Sequence, residues 1–174
     1  MRYLLYFITV LFIFNATANA SNIAVVDIKA IMEGSKAAED VRNQIKKSRN
    51  KYQSEIAKKE ETLRQDDQKL AKLHSTLSPE AFEAKKKEFK EKLIEVQRDV
   101  QIKRSKLDTA LTKALETIQE TILSIVEDLA KEKKFDLALP NSQVLYSDES
   151  LDITQEVLDL LNKKLPKVKI SIDK

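Results

Sequence analysis

The side chains that most often carry out catalysis are scarce in this chain. Its 174 residues include no Cys and a single His, His74. One chain therefore cannot supply a zinc site of Cys and His ligands, and a Cys nucleophile is excluded. His74 lies beside a predicted turn, where we expect an exposed residue rather than a general base. Because no nucleophile, base and orienting group occur together, the sequence predicts a protein that is not an enzyme and binds no metal.

The glycine content excludes nucleotide-binding loops. Gly34 is the only glycine in the chain. Loops that hold nucleotide phosphates need several glycines, because the backbone must approach the ligand closely. The sequence therefore predicts that the protein uses no nucleotide and no other cofactor.

The most distinctive chemical cluster is basic. Five lysines fall between residues 85 and 92, namely Lys85, Lys86, Lys87, Lys90 and Lys92. They are interpreted either as a solubilising helix surface or as a contact for acidic clients or anionic lipid, including lipopolysaccharide. Near an anionic membrane each basic residue contributes about 1 kcal/mol of attraction. Nucleic acid is not expected as a partner, because the chain is predicted to be exported and only 6% of its residues are aromatic.

The first twenty residues are typical of a secretory signal peptide. Arg2 is followed by an apolar run from Tyr3 to Phe14, and Ala18-Asn19-Ala20 is a small-residue cleavage site. The apolar run is shorter than the roughly 20 residues that a membrane-spanning helix needs, although an uncleaved anchor is the alternative. We therefore expect cleavage after Ala20, and we expect the mature chain to function outside the cytoplasm.

Residues 36–134 are predicted to form a helical hairpin. They contain no Gly and no Pro except at Leu77-Ser78-Pro79, which divides a helix ending near Thr76 from one starting at Pro79. If the chain folds back there, residues whose numbers sum to about 156 face each other, as in an αα-hairpin. The predicted seam consists of Ile45, Ile56, Leu63, Leu93, Val100 and Leu111.

Charged residues and a change of spacing mark two parts of this hairpin. Lys59, Asp66 and Lys103 occupy seam positions, where each is expected to lower local stability. They are interpreted as solvated flanks or as a source of flexibility. Between Leu107 and Leu129 the apolar stripe shifts and becomes denser, with Leu123 and Val126 added, which predicts that the hairpin base packs into the rest of the protein.

The remaining residues predict a small body in an α+β, mostly α, fold. Expected strands are Ile23–Asp27, Phe135–Leu139 and Gln143–Tyr146, and a helix is expected from Asp152 to Lys164 with Asp152 and Gln155 as a capping box. The tail from Pro166 either adds a strand or frays. The predicted units are residues 1–20 (signal peptide), 21–35 and 135–174 (body), and 36–134 (hairpin).

The body is predicted to form an oligomer. Without the hairpin it holds roughly fifty residues, and cores below about 70–80 residues seldom suffice alone. Exposed strand edges also favour pairing with another chain. The predicted interface residues are Ile23, Val25, Leu137, Leu139, Val144 and Tyr146.

The order of these segments resembles the Skp/OmpH family of periplasmic chaperones. The resemblance rests on Ile23-Ala24-Val25-Val26-Asp27, the hairpin, the strand ending at Tyr146-Ser147, and Asp152-Ile153-Thr154 with Val157-Leu158. It implies a homotrimer whose arms enclose unfolded outer-membrane proteins and prevent their aggregation without ATP. The competing interpretation is a structural coiled-coil scaffold of the cell envelope. A rod, however, would be expected to lack the Ser78-Pro79 break.

Overall fold

The structure is a computed structural model that describes residues 22–172. Residues 1–21, including the predicted signal peptide, and residues 173–174 lie outside it. The element order is β1 (Ile23–Val26), α1 (Ile28–Gly34), α2 (Lys36–Leu73), α3 (Pro79–Lys133), β2 (Leu137–Pro140) and α4 (Thr154–Lys164). Long helices with one small sheet confirm the predicted α+β, mostly α, fold.

The sheet joins the two ends of the hairpin. β1 and β2 pair in parallel, with Ile23 opposite Leu137 and Val26 opposite Pro140. The start of α4 is attached to the same sheet, because the Ile153 N–H donates to the carbonyl oxygen of Val25 at 2.9 Å. Strands that are separated by the whole hairpin thus lie side by side.

The hairpin turn forms as its sequence predicts. The Ser78 hydroxyl accepts a hydrogen bond from the Ala81 N–H at 3.3 Å, and Pro79 is the first residue of α3. A proline fits there because that position has no intrahelical partner for an N–H. α2 ends at Leu73, three residues earlier than expected, and exposed His74 packs edge-on against Phe82 with ring centroids 4.9 Å apart.

The core lies where the hairpin base meets α1, α4 and the sheet. The stripe at the base of α3 is buried as expected from Ile118 to Leu129, except that Leu123 is 59% exposed, whereas Leu107, Leu111 and Leu115 are half-buried. Its neighbours Ile122 and Ile125 face the core, and Leu123 therefore lies on the opposite side of the helix. The fully buried residues shared by these elements include Ile31, Val41, Ile118, Leu129, Val157 and Leu161.

Two predictions about the C-terminal part of the body are wrong. Gln143 ends a 3-10 turn, and residues 144–146 form no strand, with Leu145 and Tyr146 exposed to 107% and 86%. A strand needs a hydrogen-bonded neighbour, and none lies beside them within residues 22–172. α4 begins at Thr154, whose N–H donates to the Asp152 carboxylate at 2.7 Å. Gln155 donates to Asp159 instead of completing a capping box.

No helix within residues 22–172 is both long and apolar enough to cross a membrane.

The junction between α1 and α2 depends on one serine. Ser35 is 1% exposed, its N–H donates to the Ile31 carbonyl at 2.9 Å, and its hydroxyl accepts from the Ala38 N–H at 3.2 Å. It therefore ends one helix and begins the next at the hairpin base.

We predict that Ser35→Ala lowers the free energy of unfolding by about 1 kcal/mol, because a buried helix cap is lost. Denaturant unfolding at one fixed protein concentration measures this change. Ser78→Ala is the matched control, since it removes the same kind of cap at the exposed hairpin tip and should change global stability less. Equal effects of the two substitutions would contradict the special role of the buried junction.

Candidate functional site

The hairpin of α2 and α3, called the arm from here on, is the candidate functional site. Its helices contain 38 and 55 residues. At 1.5 Å per residue, α3 spans about 80 Å, several times the radius of gyration of about 15 Å that is expected for a compact domain of this size. The arm therefore projects from the body.

Burial along the arm decreases toward its tip. Among the predicted seam residues, Ile45 and Leu63 are buried, whereas Ile56, Val100 and Leu111 are half-buried. Leu93, predicted to face Leu63, is 38% exposed. Two helices alone leave each other's outer faces in water, so side-chain burial supports the distal arm only weakly.

Three ion pairs cross the seam of the arm. Lys59 contacts Asp99 at 2.7 Å, Lys92 contacts Asp66 at 2.6 Å, and Lys103 contacts Glu55 at 3.1 Å. The residue numbers of each pair sum to 158, so the predicted antiparallel pairing is confirmed with a register displaced by two. The charges expected to interrupt the seam therefore connect its two helices.

The most buried of these charges form a cluster around Lys103. Its ammonium group lies 2.8 Å from Asp99 on the same helix and 5.4 Å from the centre of the Tyr52 ring. Hydrogen bonds from Lys103 and Lys59 lower the pKa of the Asp99 carboxyl below its ordinary value. The Asp99 hydrogen bond likewise raises the pKa of Lys103. Each of these two shifts favours the charged form, so Asp99 and Lys103 stabilise each other as an ion pair.

The basic cluster near the tip divides into two groups. Lys92 is engaged by Asp66 across the seam, while Lys85 pairs with Glu88 and Lys86 with Glu83 on the same helix. Lys87 and Lys90 are exposed and form no ion pair within the described part of the chain. These two lysines are the residues of the predicted cluster that are most available to a partner.

The arm also exposes apolar side chains that the seam analysis did not select. Ile94 and Ile102 are exposed, eight residues apart on α3. That spacing places them about 80° apart around the helix axis, on the same broad side of the helix. Neither residue belongs to the apolar stripe that forms the predicted seam. An isoleucine on an otherwise polar face of a helix is the sequence signal that could have identified them.

The predicted oligomer-interface residues have different environments in the single chain. Val25 is 3% exposed, so its own chain already buries it, and Leu139 and Val144 are half-buried. Exposed apolar side chains on the body include Ile23 and Leu137, which are paired in the sheet, and also Leu145, Tyr146 and Leu151. Leu145 was not among the predicted interface residues.

No group of three or more His, Cys, Asp or Glu side chains within residues 22–172 is arranged to hold a metal ion.

Comparison with known proteins agrees with this architecture. The sequence model of the OmpH-like outer membrane protein family matches residues 22–161. An uncharacterized protein from Aquifex aeolicus (strain VF5) is 31% identical over 148 residues, which cover 80% of this chain and 85% of that protein. The fold matches the crystal structure of a candidate outer membrane chaperone (OmpH-like) from Caulobacter crescentus CB15 with a TM-score of 0.80. That match covers 87% of this chain and 89% of the other at 16% identity. The structural match shows that the two proteins share a fold.

We predict that Asp99→Asn loosens the middle of the arm and leaves the body unchanged. Amides in residues 52–63 and 96–107 should exchange hydrogen up to about fivefold faster, because partly exposed ion pairs contribute about 1 kcal/mol or less. Asp67→Asn is the control, since Asp67 is exposed and forms no ion pair within the described residues.

The same substitution has a predicted pH dependence. Because the pKa of Asp99 is lowered by folding, its stabilising contribution is complete above the unfolded value of about 4 and is lost as pH falls through the lowered pKa. After correction for intrinsic exchange rates, the difference between wild type and Asp99→Asn should be full near neutral pH and should narrow below about pH 4. A difference that persists unchanged in acid would contradict the role of the charged carboxylate.

Proposed function

The chain belongs to the OmpH-like outer membrane protein family, and from this premise we propose that it is an ATP-independent periplasmic holdase. In this proposal the arms of a homotrimer surround unfolded outer-membrane proteins and prevent them from aggregating before they insert into the membrane. The observation that carries the proposal is the projecting arm, whose distal half is weakly buried and presents apolar residues among many charges.

The chemistry of the arm suits reversible holding. Exposed Ile94 and Ile102 offer apolar contact to an unfolded chain, while neighbouring charges keep the surface hydrated. Isolated apolar side chains of this kind each remove little area from water, and at about 25 cal/mol per Å² each contributes modestly. Many such contacts within an enclosed volume would hold a client, and each could separate without ATP.

Self-association is proposed from the body, and the number of three subunits is what the family resemblance implies. Ile23 and Leu137 lie side by side on the sheet, and Leu145 and Tyr146 project into solvent. A second copy that covers these side chains would bury them and could supply the hydrogen-bonding neighbour that residues 144–146 lack in the single chain. Val25 is not part of this proposed surface, because its own chain buries it.

The location is proposed from the first twenty residues. A signal peptide cleaved after Ala20 would place the mature protein in the periplasm, which lacks ATP and contains unfolded outer-membrane proteins in transit. A holdase that relies on binding energy alone suits that compartment.

Shortening the arms tests the holdase proposal. Deleting residues 53–66 together with residues 92–105 removes two heptads from each helix, keeps the turn, and removes all three seam ion pairs with both partners. The arm becomes shorter by about 21 Å. We predict that this variant still sediments as a trimer but no longer prevents aggregation of a large unfolded outer-membrane protein, measured by light scattering without ATP or metal.

The reciprocal control is Leu145→Asp with Tyr146→Asp, which should dissociate the trimer and leave each arm intact. If the variant with shortened arms still suppresses aggregation, the arms are not the part of the protein that holds the client. If the full chain itself fails to suppress aggregation, the structural-scaffold interpretation is favoured. A full chain that sediments as a monomer at micromolar concentration would contradict the trimer.

Substitution of the available lysines tests electrostatic capture. We predict that Lys87→Gln with Lys90→Gln slows association of an acidic client, mainly at low salt, because the Debye length falls from about 30 Å at 0.01 M to about 8 Å at physiological ionic strength. Stopped-flow mixing with a labelled client measures the rate. Lys92→Gln is the matched control, because that lysine is engaged by Asp66 and its loss should loosen the seam instead. Equal slowing by both variants, unchanged by salt, would exclude steering by the exposed pair.

A further inference from the structure

The segment after α4, residues 166–172, lies against the base of the arm and is called the tail from here on. It follows the region matched by the family, which ends at residue 161. It has no regular secondary structure, yet Val168 and Ile172 are buried and join the hydrophobic core. The tail is therefore seated on the arm, although the sequence alone left open whether it adds a strand or frays.

The backbone of the tail is bound by side chains of α2. The Val168 N–H donates to the Asp40 carboxylate at 3.2 Å, and the Gln44 amide nitrogen donates to the Val168 carbonyl at 2.7 Å. The Ile170 N–H donates back to the Gln44 amide oxygen at 3.4 Å. Asp40 also accepts from the Gln44 amide at 2.8 Å, which fixes the orientation of that amide.

The Gln44 amide therefore takes the place of a neighbouring strand. In a parallel ladder one residue donates its N–H to the carbonyl of residue i and accepts from the N–H of residue i+2 on the adjacent strand. Gln44 does both with residues 168 and 170 of the tail. These bonds involve only the backbone of the tail, so they would form equally well with any extended peptide.

The opposite wall of this groove is formed by α3 and is not filled by the tail. A cavity of about 450 Å³ separates the tail from a row of α3 residues, Ser105, Lys106, Thr109, Ala110, Lys113, Ala114 and Thr117. Ala110 and Ala114 lie one turn apart, and their small side chains leave room above the helix. A volume of this size falls within the range of about 300–1,000 Å³ that is usual for ligand sites.

We propose that this groove binds an extended peptide with apolar residues at alternate positions, and that the tail occupies it as an intramolecular competitor. This inference rests on the proposed holdase function, because such a peptide corresponds to a strand of an unfolded outer-membrane β-barrel. Those strands alternate apolar and polar residues. The tail has the same pattern, since Val168, Ile170 and Ile172 alternate with Lys167, Lys169 and Ser171.

The loss of apparent peptide affinity that the tail causes can be calculated. A tethered segment has an effective concentration in the millimolar range, so a site with an intrinsic Kd of about 100 µM would appear about tenfold weaker while the tail is present. Clients that carry many strands would displace the tail by repeated binding, whereas an isolated strand would not.

Peptide binding tests the proposal. A fluorescent peptide with the sequence of residues 166–174 is titrated into the full chain and into two tail-open variants. One variant carries Val168→Ser with Ile172→Ser, and the other ends after Leu165. If one variant is unfolded, the peptide affinities of the two variants will differ. We expect binding to both variants to be at least about tenfold tighter than to the full chain.

Two controls establish that the site is the groove. Adding Gln44→Ala to the serine variant should weaken peptide binding, because it removes the side chain that bonds to both residues 168 and 170. A peptide with the same composition but with its apolar residues contiguous should bind more weakly than the alternating one. A synthetic strand from an outer-membrane β-barrel should compete with the tail peptide.

A measurement on the unmodified protein completes the test. A saturating excess of the peptide should accelerate hydrogen exchange at the amides of Val168 and Ile170, since it displaces the tail. Equal affinity for the full chain and the tail-open variants, or no binding to any of them, would overturn the proposal. So would crosslinking that attaches the tail to a second copy, because the groove would then be a subunit interface.

The outcome is independent of the holdase assay. If tail-open variants suppress aggregation but bind no peptide, the groove proposal alone fails. If they bind the peptide but neither they nor the full chain suppress aggregation, the holdase proposal fails and the groove remains a peptide site.

Discussion

The parallel pairing of β1 with β2 constrains the path of the chain between them. The two strands are adjacent in the sheet although α1, α2 and α3 separate them in sequence. A chain that leaves β1 along a helix must therefore return to the same place, and the turn at Ser78-Pro79 allows that return. The base of the arm is fixed by this closure, by the Ser35 junction and by packing against α4.

Stability decreases along the arm because each part of it has different neighbours. At the base, α2 and α3 contact α1, α4, the sheet and the tail, and their inward side chains are fully buried. Farther out the two helices contact only each other, so apolar burial decreases and ion pairs such as Lys59–Asp99 provide the cross-helix contacts. Ion pairs of this exposure contribute little free energy but require a specific register, so they align the arm without making it rigid. Such an arm is suited to a binding surface that must adapt to many different chains.

The tail connects the body to the base of the arm, where burial is greatest. It runs from α4 onto the base of the arm, where Gln44 and Asp40 bind its backbone and the core accepts its alternate side chains. The point at which the arm changes from a buried base to an exposed surface is thus also the point at which the chain binds an extended segment of its own. A site that recognises backbone and alternation, rather than particular side chains, fits a partner that is defined by being unfolded.

The sequence by itself determined the features that depend on local periodicity. The helix break at Ser78-Pro79, the antiparallel hairpin, the strands at Ile23 and Leu137 and the buried stripe through Ile118 and Leu129 all follow from spacing within a few turns of chain. Resemblance to a family added the chaperone role as an expectation, and the comparisons show the family and the fold.

Only the tertiary structure decided which distant residues meet. The observed register of the seam differs by two from the predicted one, as the residue-number sums of three cross-helix ion pairs show. Lys92 is less available to a partner than the sequence predicts, because it forms an ion pair with Asp66 on the other helix. The strand predicted at residues 143–146 does not form in the single chain, because β propensity does not supply a hydrogen-bonding neighbour. The tail is held on the arm because the side chain of Gln44, more than a hundred residues earlier in the chain, supplies a hydrogen-bonding neighbour for its backbone. Each of these outcomes depends on contacts between segments far apart in the chain, which no local pattern specifies.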